Sequence, residues 1–139
     1  IMKFTRRANA NWKGTGMEGK GTISTQSTTL DNAQWSFKTR FEQGVGTNPE
    51  ELIAAAHAGC FTMKLSFNLG EAGFEPTELE TKCQVTFEDG AITKSNLILK
   101  ATVDGISEDK FAELVKDAEE NCPISKVLNT SISVEYTLN

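Results

Sequence analysis

The strongest constraint on this chain's fold is the segment that begins at Asn48. Asn48-Pro49-Glu50-Glu51 joins an asparagine cap, a proline suited to the first helical position and a glutamate three residues after the cap. The pattern predicts a helix from Pro49 to about Leu69, with Gly70 and Gly73 offering its exit. Its Ala, Leu, Ile, Phe and Met residues occupy nearly every side, as expected of a helix enclosed by neighbours rather than lying half in water. The rest of the chain must supply what encloses it.

Most of that remainder reads as strand. Residues 2–13 alternate loosely and run into the turn-rich segment 14–19, which predicts a first strand and a turn. Residues 21–25 and 34–41 carry further β signal. In the second, Trp35, Phe37, Thr39 and Phe41 fall on one face and Gln34, Ser36, Lys38 and Arg40 on the other, so Arg40 is expected on a strand's polar face. Two more strands, near 79–88 and 91–103, meet at the hairpin dipeptide Asp89-Gly90. Ser107-Glu108-Asp109 opens a second helix on which Phe111, Leu114, Val115 and Ala118 recur at helical spacing. Pro123 disfavours helical geometry at Cys122 and can itself start a short helix through Leu128, which puts Cys122 at a break between helices. Residues 131–138 alternate cleanly as a last strand. Together these elements predict an α+β fold with mainly antiparallel sheet, in a single domain over residues 2–139.

Composition narrows the function. A chain of 139 residues, 38% hydrophobic and 24% charged, suits one globular domain. Its net charge of −5, with Lys and Arg scattered, argues against a nucleic-acid partner. No stretch approaches the roughly 18 apolar residues of a membrane span, and Met2-Lys3-Phe4-Thr5-Arg6-Arg7 leads into no apolar signal region, so a cytoplasmic protein without a membrane partner is expected. Ile1 reads as an added residue and is set aside. Three cysteines, with no CxxC pair and no Cys/His cluster at zinc spacing, suit neither a secreted disulfide framework nor a metal site. Catalytic use of cysteine is the better expectation.

Cys60 lies about eleven residues into the long helix, beside the small residues Ala56 and Gly59. It is either a small buried hydrophobe or a reactive thiol. Reactivity requires a stabilised thiolate, and the helix dipole acts mainly in the first turn, so a cation must come from elsewhere. Arg40 is the best candidate, because its guanidinium stays charged and can pair with both a thiolate and a peroxide oxygen. Glu50 and Glu51 serve either the helix start or the orientation of that arginine. Ten residues of helix separate Glu50 from Cys60 by about 15 Å along the axis, so they share a site only if the helix start bends back, if Arg40 bridges the gap or if a second chain supplies one of them; a dimer with composite sites is favoured. His57, the single histidine, is either a buried hydrogen-bonded residue or a partner of Cys60, and Cys83 reads as packing in a strand. Cys122, at its helix break, has the mobility to meet another sulfur.

At these residues the sequence resembles the OsmC/Ohr family of osmotically inducible and organic-hydroperoxide-resistance proteins, most closely its OsmC branch. The resemblance spans essentially the whole chain and rests on residues 39–42, 46–61 and 120–126. It implies an intertwined homodimer in which long central helices pack between sheets. It implies that Cys60 is the peroxidatic cysteine, Cys122 the resolving cysteine, Arg40 the site arginine and Glu50 its carboxylate partner, with Glu51 as the competing choice. The implied activity is reduction of organic hydroperoxides, and more weakly hydrogen peroxide, through a Cys60 sulfenic acid and a Cys60–Cys122 disulfide. An external dithiol, with a lipoyl-type dithiol as one candidate, then recycles the disulfide, and no metal, flavin or haem is implied. Phe61 and Met63 are compatible with an alkyl tail near Cys60. A redox sensor or a non-enzymatic stress protein is the alternative.

Overall fold

The computed structural model describes residues 2–139, and Ile1 lies outside the described residues. The chain divides into two compact units, one up to Leu52 and one from Ile53 onward.

The first unit holds an antiparallel sheet of β1 (Ala8–Lys13), β2 (Lys20–Thr25) and β3 (Ala33–Trp35) in the order β1-β2-β3. Register places Gly21 opposite both Trp12 and Trp35, whose rings lie 4.8 Å apart. A Cβ at Gly21 would come within 2.5 Å of each ring, so glycine is what lets the two indoles meet across the middle strand. Residues 2–7, expected to extend the first strand, lie outside it.

The expected strand over 34–41 is corrected by the structure. Pairing stops at Trp35, and Phe37–Phe41 forms a short helix, α1. Ser36 is its N-cap: the Thr39 amide donates to Ser36 Oγ at 3.3 Å, and the Ser36 amide donates to Thr39 Oγ1 at 2.9 Å. Phe37 and Phe41, four residues apart, meet with centroids at 4.9 Å. Reciprocal capping and an i,i+4 aromatic pair outweigh the apparent alternation. Arg40 therefore sits in the last turn of a helix, not on the polar face of a strand.

Helix α2 (Pro49–Glu71) begins as expected, the Glu51 amide donating to Asn48 Oδ1 at 2.8 Å. It ends in two return bonds, Gly73 N–H to Gly70 O and Phe74 N–H to Leu69 O, with Gly73 at φ +89° closing the turn.

In the second unit β4 (Glu78–Glu88) and β5 (Ala91–Thr102) form an antiparallel hairpin through Asp89-Gly90, both residues at positive φ. The chain then crosses through α3 (Glu108–Asn121) and α4 (Pro123–Val127), and β6 (Ser131–Leu138) joins β5 in parallel, giving the order β4-β5-β6. Parallel pairing needs such a crossover. Alternate residues of β5, Ser95, Leu97, Leu99 and Ala101, are buried. Phe61, Leu65 and Leu69 of α2 and Phe111, Val115 and Ala118 of α3 complete the core with Cys122. Each large side chain enclosed there contributes about 1.5–3 kcal/mol.

Within this chain α2 buries one face only. His57, Phe61, Leu65 and Leu69 point inward at four-residue steps, while Met63 and Phe67 are each 64% exposed. The expectation of a helix enclosed on every side is not met by one chain alone.

Candidate active site

Cys60 and Cys122 are brought together in the second unit. α2 carries Cys60 one residue before core residue Phe61, which leaves the thiol at the edge of the core and partly exposed. α3 delivers Cys122 eleven residues after Phe111, on the same apolar face, where it is fully buried. Cys122 ends α3 and caps α4: its own amide donates to Ala118 O, and its sulfur accepts the Ser125 amide at 3.3 Å. The proline that follows thus fixes the break where the sequence placed it.

The Cys60 thiol lies within hydrogen-bond reach of the Cys122 side chain and of the backbone at Ile124. Burial pushes the Cys60 thiol up from its ordinary pKa; the Ile124 backbone contact pulls it down, and Cys122, as bonding partner and as charge, raises it again. These surroundings favour the neutral thiol, so a thiolate at Cys60 needs a cation that the two cysteines do not supply. None of the three cysteines is in a disulfide.

Arg40 and Glu50 meet in the first unit. Arg40 Nε donates to Glu50 Oε1 at 3.0 Å, and the guanidinium carbon lies 5.1 Å from the Phe41 ring centroid. α1 and the loop to α2 are pinned by Asn48 Nδ2 donating to Thr39 O at 3.0 Å and by the Thr47 amide donating to Gln34 O at 2.8 Å. Glu51 is engaged elsewhere, accepting the Thr47 hydroxyl at 2.8 Å. The choice between the two glutamates therefore falls on Glu50 as the partner of Arg40. Its second oxygen, Oε2, is buried without a hydrogen-bond partner.

His57 does not pair with Cys60. Its Nδ1 lies 2.6 Å from Ser95 Oγ and its Nε2 2.8 Å from Ser125 Oγ, and its burial lowers its pKa. Cys83 is partly buried, its sulfur 3.3 Å from Ser95 Oγ; burial raises its pKa and that hydrogen bond lowers it. Sequence reasoning missed both serines. The only signal for Ser95 is its inward parity with Leu97 and Leu99, and Ser125 has none beyond its place in the short helix after Pro123. Of the two apolar residues compatible with an alkyl tail, Phe61 is wholly enclosed in the core and Met63 is exposed. No group of His, Cys, Asp and Glu among the described residues is arranged to hold a metal ion, and no helix among them is long and apolar enough to cross a membrane.

A model of the family described as OsmC-like protein matches residues 42–137. The chain is 44% identical, over an alignment of 141 residues covering 99% of each protein, to Peroxiredoxin OsmC of Escherichia coli strain K12. Among solved structures it is similar to the organic hydroperoxide resistance protein OhrB of Bacillus subtilis, with a TM-score of 0.70, 28% identity and 98% of each chain covered. An OsmC-like protein from Mycoplasma pneumoniae matches with a TM-score of 0.76 over 99% of each chain at 14% identity, which speaks for the fold alone.

Proposed function

Since the chain belongs to the OsmC family, we propose that it is a cysteine-based peroxidase that reduces organic hydroperoxides to alcohols, and hydrogen peroxide more weakly. The observation that carries this reading is the pair of free cysteines, Cys60 at the rim of the core and Cys122 behind it, close enough to interact. A peroxide-reacting sulfur must be reachable, and a resolving sulfur must be adjacent.

The cycle then follows sulfur chemistry. Cys60 thiolate attacks the peroxide oxygen, the O–O bond breaks, the alcohol leaves with a proton, and Cys60 becomes a sulfenic acid. Cys122 condenses with it, water leaves, and the resulting disulfide is reduced by an external dithiol, for which a lipoyl-type group is one candidate. Arg40, oriented by Glu50, is assigned the task of holding the Cys60 thiolate and the peroxide. The need for a cation at a thiol whose surroundings favour the neutral form supports that assignment, as does the Arg40–Glu50 pair.

A homodimer accompanies this reading. The outward Met63 and Phe67 of α2 are the residues a second copy is proposed to cover. A single domain over residues 2–139 is proposed with it, supported by the relative of 44% identity that matches 99% of the chain. A cytoplasmic location is proposed with it.

Steady-state loss of cumene hydroperoxide or tert-butyl hydroperoxide, with a small dithiol as reductant, tests the reading. Turnover well above the dithiol alone, and faster than with hydrogen peroxide, is expected; no turnover with either the small dithiol or a lipoyl-type dithiol contradicts it. Arg40→Lys is expected to slow sulfenic acid formation roughly ten- to a hundredfold, the value of one lost charge-assisted hydrogen bond. Stopped-flow measurement of that step checks it, and a rate equal to the parent's removes Arg40 from the mechanism.

A further inference from the structure

Five buried or partly buried side chains in the second unit form one continuous hydrogen-bonded file: Cys122, Ser125, His57, Ser95 and Cys83. The successive distances are 3.1 Å from Cys122 Sγ to Ser125 Oγ, 2.8 Å to His57 Nε2, 2.6 Å from Nδ1 to Ser95 Oγ, and 3.3 Å on to Cys83 Sγ. Cys122 and His57 are both 0% exposed and Ser125 only 8%, so a proton leaving the Cys122 thiol meets side chains before it meets water. Core packing alone does not call for a histidine with both ring nitrogens bonded to serines drawn from two different elements, β5 and α4.

We propose that His57, acting through Ser125, is a positioning residue for the resolving step, receiving the proton that Cys122 must lose to attack the Cys60 sulfenic acid. The proposal rests on the peroxidase reading and deepens it. In the tautomer it requires, Nδ1–H donates to Ser95 and Nε2 accepts from the Ser125 hydroxyl, whose oxygen accepts the Cys122 S–H. Cys122 passes its proton to Ser125 as Ser125 passes its own to Nε2. The Cys122 sulfur then attacks the Cys60 sulfur, the S–S bond forms and the S–O bond breaks. The oxygen leaves as hydroxide and becomes water on taking up one proton, while His57 gives up the one it held. Cys122 is oxidised and Cys60 is reduced to the disulfide level. Burial favours the neutral imidazole between turnovers, which leaves Nε2 free to accept. Ser95 fixes the ring from the far side.

The test separates the two half-reactions in the reduced full-length protein given one equivalent of tert-butyl hydroperoxide. Sulfenic acid is followed with a dimedone-type trap, and disulfide by non-reducing mass spectrometry. In His57→Gln, which keeps a polar group near the Nε2 position but cannot take a proton, sulfenic acid is expected to form within about twofold of the parent rate. Disulfide formation is expected to slow about a hundredfold, within the range of a lost proton-transfer partner. Ser125→Ala is expected to match it, with the double variant no slower than either single one. As the chain has a single histidine, its ring nitrogen resonances are also unambiguous, and the reduced parent is expected to show protonated Nδ1 and unprotonated Nε2. Unchanged disulfide kinetics in both variants, equal slowing of both steps, or a protonated Nε2 overturns the relay alone. A parent protein that forms no sulfenic acid overturns the peroxidase reading beneath it.

Discussion

Cys60→Ser is expected to reduce peroxide consumption to the rate of the dithiol without protein. The nucleophile is the thiolate, and a serine hydroxyl without a paired general base offers no equivalent at neutral pH. Removing the nucleophile of an enzyme costs on the order of 10⁶ in kcat, far more than any change in substrate binding could recover. The single histidine cannot activate the serine from where it stands, because both of its ring nitrogens are already bonded to Ser95 and Ser125. Cys60 is the partly exposed member of the pair and packs beside the core without filling it, so serine there should leave the fold intact. Hydroperoxide loss followed with and without the variant checks the expectation, and residual turnover above background would assign the chemistry to another cysteine.

Cys122→Ser is expected to behave differently, and the contrast is the informative part. Cys60 still reacts, so one equivalent of peroxide is consumed per chain in a burst, after which turnover stops. Without a resolving thiol the sulfenic acid persists, and excess peroxide carries it to the sulfinic and then the sulfonic form. Intact mass is expected to rise by one oxygen in the burst and by further oxygens as peroxide is added. Serine caps a helix at least as well as cysteine, so the cost of the replacement is that of placing a hydroxyl in the core at Cys122, about 1–3 kcal/mol. That loss is too small to explain an arrest after one turnover. Full turnover in this variant would mean that resolution comes from the external thiol or from Cys83.

How far the sequence anticipated the structure differs from element to element. The start of α2 was legible because its capping chemistry is local: Asn48, Pro49 and Glu51 act within one turn. The β4–β5 hairpin was legible in Asp89-Gly90 for the same reason. The break at Cys122 followed from Pro123, whose ring constrains the residue before it. Phe37–Phe41 was misread because Trp35, Phe37, Thr39 and Phe41 satisfy a period of two, while Phe37 and Phe41 equally satisfy a step of four. The Ser36–Thr39 cap, visible in the sequence, decides between them.

Contacts between distant residues were not legible. Nothing in the local pattern tells Glu50 from Glu51 as the partner of Arg40; the decision depends on how the 42–48 loop is tied down, with Thr47 engaging Glu51. The parallel β5–β6 pairing depends on a crossover of two helices rather than on either strand's composition. The file through His57 spans separations of 38 and 68 residues. The outer face of α2 leaves Met63 and Phe67 exposed, and composition alone does not say what covers them.

The redox coupling of Cys60 and Cys122 is the point on which the whole mechanism depends. Its most direct test is to treat the fully reduced protein with one equivalent of cumene hydroperoxide, block the remaining thiols with an alkylating agent, and map the disulfides by peptide mass spectrometry without reduction. A Cys60–Cys122 linkage is expected, with Cys83 recovered as an alkylated free thiol. A linkage that includes Cys83, or three free thiols beside unconsumed hydroperoxide, would contradict it.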